Sequence, residues 1–186
     1  MSTPPYRVAP GASARPRRSA FAAAVAFVAL ASLGAGACVS SSDYEAVAFA
    51  CPSSDEFRWV SQVFERRCGT LDCHGSYARP FRVYGRTGLR KPGQDLVTNG
   101  PQATTSLEID ENRASACGLE PERMEAVLEG EADPLETLTL VRKPLLIEAH
   151  KGGRVLAEDS AGARCILSWL DGAVDAEACA EELAIP

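Results

Sequence analysis

Along the chain, apolar positions follow two different patterns. From Ala20 to Ala37 an uncharged run of 18 residues is almost continuously small or apolar. Beyond it, apolar residues recur at spacings of three and four, as in helices with one buried face. Phe57, Val60, Phe64 and Cys68 share such a face on a helix that Ser54 or Asp55 can cap and that runs to about Arg67. Residues 75–104 lose the periodicity. They are rich in Gly, Pro, Arg and Asn and predict a long irregular segment anchored by Phe81, Val83 and Tyr84, with a short strand over 81–84. Thr105 and Glu108 form a capping box for a helix from 106 to about 117, ended by Gly118. Pro121 opens the next helix and Gly130 closes it. Leu138, Leu140 and Val141 predict a short helical turn before Lys143-Pro144, and His150-Lys151-Gly152-Gly153 a loop. Asp159 or Ser160 caps a helix through Asp171, with Gly172 as its C-cap and Ile166, Trp169 and Leu170 as its apolar stripe. A last helix begins at Asp175 and carries Cys179. The expected fold class is all-α, with long loops and no internal repeat.

Composition narrows the class. The 186 residues are 46% apolar and 24% charged, enough for one packed domain, yet only 6% aromatic. The formal net charge is -6, and no basic patch is available to neutralise phosphates, so nucleic acid is excluded as a partner. Arg7, Arg15, Arg17 and Arg18 are the only charges before Asp43, so the chain without residues 1–37 carries -10. Seven cysteines point to an oxidising compartment.

The charge asymmetry also explains the first pattern. Arg15, Arg17 and Arg18, the apolar run and the small residues Leu33-Gly34-Ala35-Gly36-Ala37 make a secretory signal over residues 1–37. A membrane-spanning helix is the competing reading, because the run nearly reaches spanning length. Small residues directly before Cys38 resemble the bacterial lipobox, in which that cysteine is lipidated and becomes the new N-terminus. Ala35 stands where that family usually has Leu. Removing Cys38 leaves six cysteines, an even number. Residues 38–50 then read as a lipidated tether that holds the domain, residues 51–186, to a membrane without spanning it. Val39 lacks the acidic residue associated with retention at the inner membrane, which points to the outer one.

Cys68-Gly69-Thr70-Leu71-Asp72-Cys73-His74 carries the chemistry. Two cysteines, the second followed at once by histidine, form the haem attachment signature: the thiols hold the porphyrin edge and the imidazole reaches the iron. Here four residues separate the cysteines, where the common motif has two. Phe64 stands four residues before Cys68, and Ala163-Arg164-Cys165-Ile166-Leu167-Ser168-Trp169-Leu170-Asp171-Gly172 forms a late helix with an aromatic. On these residues the chain resembles the class I cytochrome c family, and a cytochrome-c-like group of exported bacterial proteins. Arg142-Lys143-Pro144 and His150-Lys151-Gly152-Gly153 also resemble that group. The likeness covers residues 51–180 as scattered motifs. It implies one covalent haem c on Cys68 and Cys73, His74 as proximal ligand, a redox partner protein, and electron transfer in the periplasm or cell envelope without enzymatic chemistry.

Alternatives stay open on the residues themselves. Cys68 and Cys73 can be disulfide-bonded instead, to each other or to other cysteines, leaving His74 a surface residue; a zinc site is disfavoured in an oxidising compartment. If haem occupies Cys68 and Cys73, then Cys51, Cys117, Cys165 and Cys179 can form two disulfides. Cys165–Cys179 is the preferred pair because it staples the last helix to its neighbour, and Cys51–Cys117 follows by elimination. Without haem, six cysteines can form three. For the distal ligand, the candidates are His150 in its glycine-flanked loop and Met124 on a helix. Glu120, Glu122, Glu125, Glu129 and Glu131 form an acidic face, either solvated or a dock for a basic redox partner. The rival function is a haem-less, disulfide-stapled binding or structural lipoprotein on a cytochrome-like helical frame. A third is a haem enzyme or sensor with an open iron site. An apolar cavity beside Cys68, Cys73 and His74 favours haem, and a filled core there favours the rival.

Overall fold

The computed structural model describes residues 50–93 and 96–185. The signal segment 1–37, Cys38 and the tether as far as Phe49 lie outside the described residues. All regular structure within them is α-helical: α1 (Phe57–Cys68), α2 (Ser106–Cys117), α3 (Pro121–Leu128), α4 (Pro134–Thr137), α5 (Thr139–Arg142), α6 (Ala161–Leu170) and α7 (Ala176–Ala184). The strand expected over 81–84 does not form; one isolated parallel bridge joins Tyr84 to Leu89. Phe81, Val83 and Tyr84 are buried as anchors all the same. Their backbone groups turn to side chains and turns instead of a sheet, as buried amides must find some partner.

α1, α6 and α7 pack on one another and form the centre. Phe57, Val60 and Phe64 are buried along α1, while Ile166, Trp169 and Leu170 are buried along α6. Trp169 meets Phe57 at 4.8 Å and Phe64 edge-on at 6.5 Å between ring centroids. Such tilted aromatic contacts add to the burial of large apolar faces. Few aromatics therefore suffice, because they are gathered at one crossing.

The starts of the helices follow their caps. Thr105 and Glu108 make the reciprocal box that opens α2. The Ser160 and Asp175 side chains accept from Ala163 and Ala178 amides to open α6 and α7. α1 departs from expectation. Neither Ser54 nor Asp55 caps it; Glu56, in the left-handed region at φ 58°, precedes it without a side-chain cap. The Phe57 amide instead bonds the Ser54 carbonyl, which serves the same orphan group. α4 was not anticipated: four residues opened by Asp133 and Pro134 are too few to show a period.

Disulfides join Cys51 to Cys117 and Cys165 to Cys179, the pairs preferred from sequence. The first ties the segment before α1 to the end of α2; the second staples α6 to α7. The long segment is pinned to this frame by buried polar groups. Asn112, fully buried on α2, accepts from the Tyr84 amide at 2.6 Å and donates to the Tyr84 carbonyl at 2.8 Å and to Ser61 Oγ at 3.0 Å. Arg90 forms a buried ion pair with Glu108 and donates to the Gln102 and Ala103 carbonyls. Glu120 is no mere part of a solvated acidic face: its carboxylate accepts from the Thr139 amide and hydroxyl at the start of α5.

Candidate functional site

The last turn of α1 ends at Cys68, and its carbonyl accepts the His74 amide at 2.8 Å. Between them Gly69–Asp72 fold into a turn, with the Cys73 and Gly75 amides both bonded to the Thr70 carbonyl. The four intervening residues are thus absorbed as an extra turn, and His74 returns to the helix end. Three glycines make this possible. A Cβ on Gly75 would stand 2.1 Å from the Gly69 carbonyl oxygen, and one on Gly88 only 1.9 Å from it. The backbones at 69, 75 and 88 interlock too closely for any other residue.

His74 is fixed from several sides. Its Nδ1 lies 2.9 Å from the Phe81 carbonyl, its carbonyl accepts from the Val83 amide, and its ring sits 5.0 Å from the Phe81 ring. A carbonyl only accepts, so the proton is on Nδ1 and Nε2 keeps its lone pair. Burial pulls the imidazole below its usual pKa, with His150, Arg79 and Lys143 adding and the Phe81 bond opposing. His150 repeats the arrangement from the other side. Its Nδ1 lies 2.9 Å from the Gly153 carbonyl, which again leaves Nε2 as the free nitrogen. The two rings are nearly parallel, 16° apart, with centroids separated by 6.2 Å. Among the described residues neither Nε2 makes a hydrogen bond.

Both histidines line a mostly apolar cavity of about 640 Å³, its open mouth included, between Phe64, Phe81, Leu140, Leu156 and Ile166. Cys68 lies on its wall. Arg67 and Lys143 also line it, Arg67 ion-paired with the buried Glu182 and Lys143 with Glu148 at 3.5 Å. Cys73 faces an adjoining outer groove of about 890 Å³, open side included, which also reaches His74, His150, Arg79, Lys143 and Lys151. Cys68 and Cys73 are both free thiols. Desolvation pushes the Cys68 thiol up to about 12, with Cys73 adding and Arg67 opposing, so it stays protonated at neutral pH.

The structure therefore brings together Cys68, Cys73, His74 and His150. It does not bring Met124, which is fully buried in the core and lines neither space. Cys51, Cys117, Cys165 and Cys179 are occupied in disulfides. Among the described residues, Cys68, Cys73, His74 and His150 included, no three His, Cys, Asp or Glu come close enough to share one metal ion. Nor is any described helix long and apolar enough to cross a membrane. Sequence reasoning missed the glycine interlock, the Phe81 carbonyl and the Arg67 and Lys143 charges. Gly75 and Gly88 gave no local sign of meeting Gly69.

The fit to a haem can be tested on these distances. Two nitrogens sharing one metal at about 2 Å each, with each ring centre about 1 Å further on, would place the centroids about 6 Å apart. A haem iron takes four nitrogens from its own macrocycle and needs only two from the chain. Compared with known proteins, the chain matches no family model, no curated protein and no solved structure.

Proposed function

We propose that this chain is an exported, lipid-anchored electron-transfer protein with one covalent haem c in a cytochrome c-like helical domain. One observation carries the reading: two histidines from separate segments face one apolar cavity with parallel rings, each with Nδ1 bonded to a backbone carbonyl and Nε2 free. Backbone bonds of this kind fix the tautomer and the aim of metal-ligating histidines. Cys68 and Cys73 would hold the group by thioethers, with His74 as proximal and His150 as distal ligand. Bound there, the haem supplies a one-electron iron couple. The chain's own residues do the rest. Phe64, Phe81, Leu140 and Ile166 would exclude water. Two histidines in place of a histidine and a methionine lower the reduction potential. The crossing of Phe64 on α1 with Trp169 on α6 supports the cytochrome-like frame. Lipidation at Cys38 would hold the domain at the outer membrane, facing a redox partner protein in the periplasm or cell envelope.

The rival reading, a haem-less binding or structural lipoprotein, draws on the two disulfides, which stabilise the domain without any cofactor. It needs a third disulfide from Cys68 and Cys73, which stand here as free thiols, and leaves the two histidines without a purpose. A reduced-minus-oxidised absorption spectrum of protein from its native host, with its denatured mass, decides between them. A c-type band and the mass of one retained haem are expected. No band, with the mass of the bare oxidised chain, overturns the haem.

A further inference from the structure

The two histidines are held very differently. Around His150 the chain is pinned at Glu148, whose amide bonds the Arg142 carbonyl at 3.3 Å, and again at Val155, whose amide bonds the Pro144 carbonyl at 2.9 Å. Between these points, among the described residues, the backbone of 149–154 bonds only within itself, Gly153 amide to His150 carbonyl at 3.0 Å. The one bond of the His150 ring also stays inside the loop. Ala149, Lys151, Gly152 and Arg154 are exposed. The loop with its imidazole can move as a unit without breaking a backbone bond to the rest of the protein.

There is also somewhere for the ring to go. His150 lines both the apolar cavity and the outer groove, and the groove is the more polar of the two, bordered by Asp72, Arg79 and Lys151. Gly153, at φ 70°, has no other atom near its missing side chain, and Gly152 has only the His150 ring. Such positions absorb the dihedral changes of a hinge.

Resting on the haem reading above, we propose that His150 is a displaceable ligand: loop 149–154 carries it into the outer groove, and a small neutral diatomic takes its place in the cavity. The exchange balances without redox chemistry. The nitrogen–metal bond breaks with its electron pair left on His150 Nε2, and the diatomic donates its own pair. The ring moves to the more polar of the two spaces, and an apolar molecule enters an apolar cavity. The protein would then report on such a gas as well as carry electrons.

Carbon monoxide is the probe. Haem-loaded protein from its native host is reduced and mixed with increasing carbon monoxide in a stopped-flow spectrometer. Loop opening should limit the wild-type rate, so it levels off as the gas is raised. His150→Ala should bind in proportion to the gas and about tenfold faster or more. Two results overturn the proposal: no spectral change in wild type at saturating gas, or a wild-type rate equal to that of the variant. The wild-type trace is decisive even if the variant does not fold. Protein that carries no c-type band sinks the haem reading itself, and is told apart from these outcomes before any gas is added.

Discussion

His74 and His150 offer the same nitrogen to the same cavity, but the protein reaches that result by opposite means. His74 belongs to a strap locked by backbone contacts: its amide on Cys68, its carbonyl on Val83, its ring on Phe81, and three interlocked glycines behind it. His150 rides on a loop bonded only to itself. The local free energy of opening scales with such external bonds and buried contacts, so the strap should open only with the whole domain and the loop well below that limit. A firmly held histidine and a loosely held one thus border one cavity.

Adding the same methyl group to each side is the sharpest way to break the comparison. Gly88→Ala drives a Cβ to within 1.9 Å of a backbone oxygen that cannot withdraw. It should cost about 4 kcal/mol, at the severe end for single substitutions. Hydrogen exchange should then show residues 74–83 losing protection. Gly152→Ala meets first the His150 ring, at 3.0 Å. It should leave the unfolding midpoint almost unchanged. Equal losses in chemical denaturation would mean that the two halves are held alike.

The C-terminal staple belongs to neither half and serves as the control. Cys165–Cys179 closes a 14-residue separation, worth about 3 kcal/mol in chain-entropy terms. Replacing both with Ala should lower global stability by that amount. α6 supplies Ile166 to the cavity and Trp169 to the core, so strap and loop exchange should rise together. A rise confined to one half would place the staple inside that half.

Asn112 tests what stands behind the strap. It satisfies both backbone groups of Tyr84 and the hydroxyl of Ser61, all without access to water. Asn112→Ala strands the Tyr84 amide and carbonyl, while Ser61 keeps its bond to Glu65, and should cost about 2 kcal/mol. Amides at 83–90 should exchange faster while 149–154 stay as they are. This residue also marks where sequence reading stops. The capping box at Thr105, Pro121, a cap at Asp159 or Ser160 and a helix start at Asp175 were legible because each acts within four residues of itself. So was the glycine-flanked His150 loop. Asn112 with Tyr84, Arg90 with Glu108, and Gly69 with Gly75 and Gly88 act across the fold, and nothing local announces them. Tyr84 looked like a strand residue because its side chain is buried; its hydrogen bonds go to an α2 side chain instead. The meeting of His74 with His150 is of the same kind: each looked suitable alone, and only the chain path brings them face to face.

The smallest effect is a pH slope at the root of the strap. Glu65, on the last turn of α1, accepts from Thr104 Oγ1 at 2.6 Å and from Ser61 Oγ at 3.3 Å. Burial nonetheless raises its pKa above the ordinary carboxyl value, with nearby Glu108 adding and Arg90 opposing. A carboxyl raised on folding holds its proton better in the folded state, so its contribution is full below the unfolded value and lost as pH rises through the folded one. Glu108 has the opposite sign. Burial alone would raise it, but bonds from the Thr105 amide, Arg90 and the Lys91 amide hold it below the ordinary value. Its contribution is present above the unfolded value and lost as pH falls through the folded one. Wild-type stability should therefore decline on both sides of the unfolded carboxyl pKa. Glu65→Gln should flatten only the neutral-side decline, because the amide oxygen can still accept a hydroxyl proton but no longer titrates. Denaturant titrations between pH 3 and 7, a window of about one to two units around ordinary carboxyl values, measure both slopes. An unchanged neutral-side slope in the variant would move its origin away from the strap's root to another group.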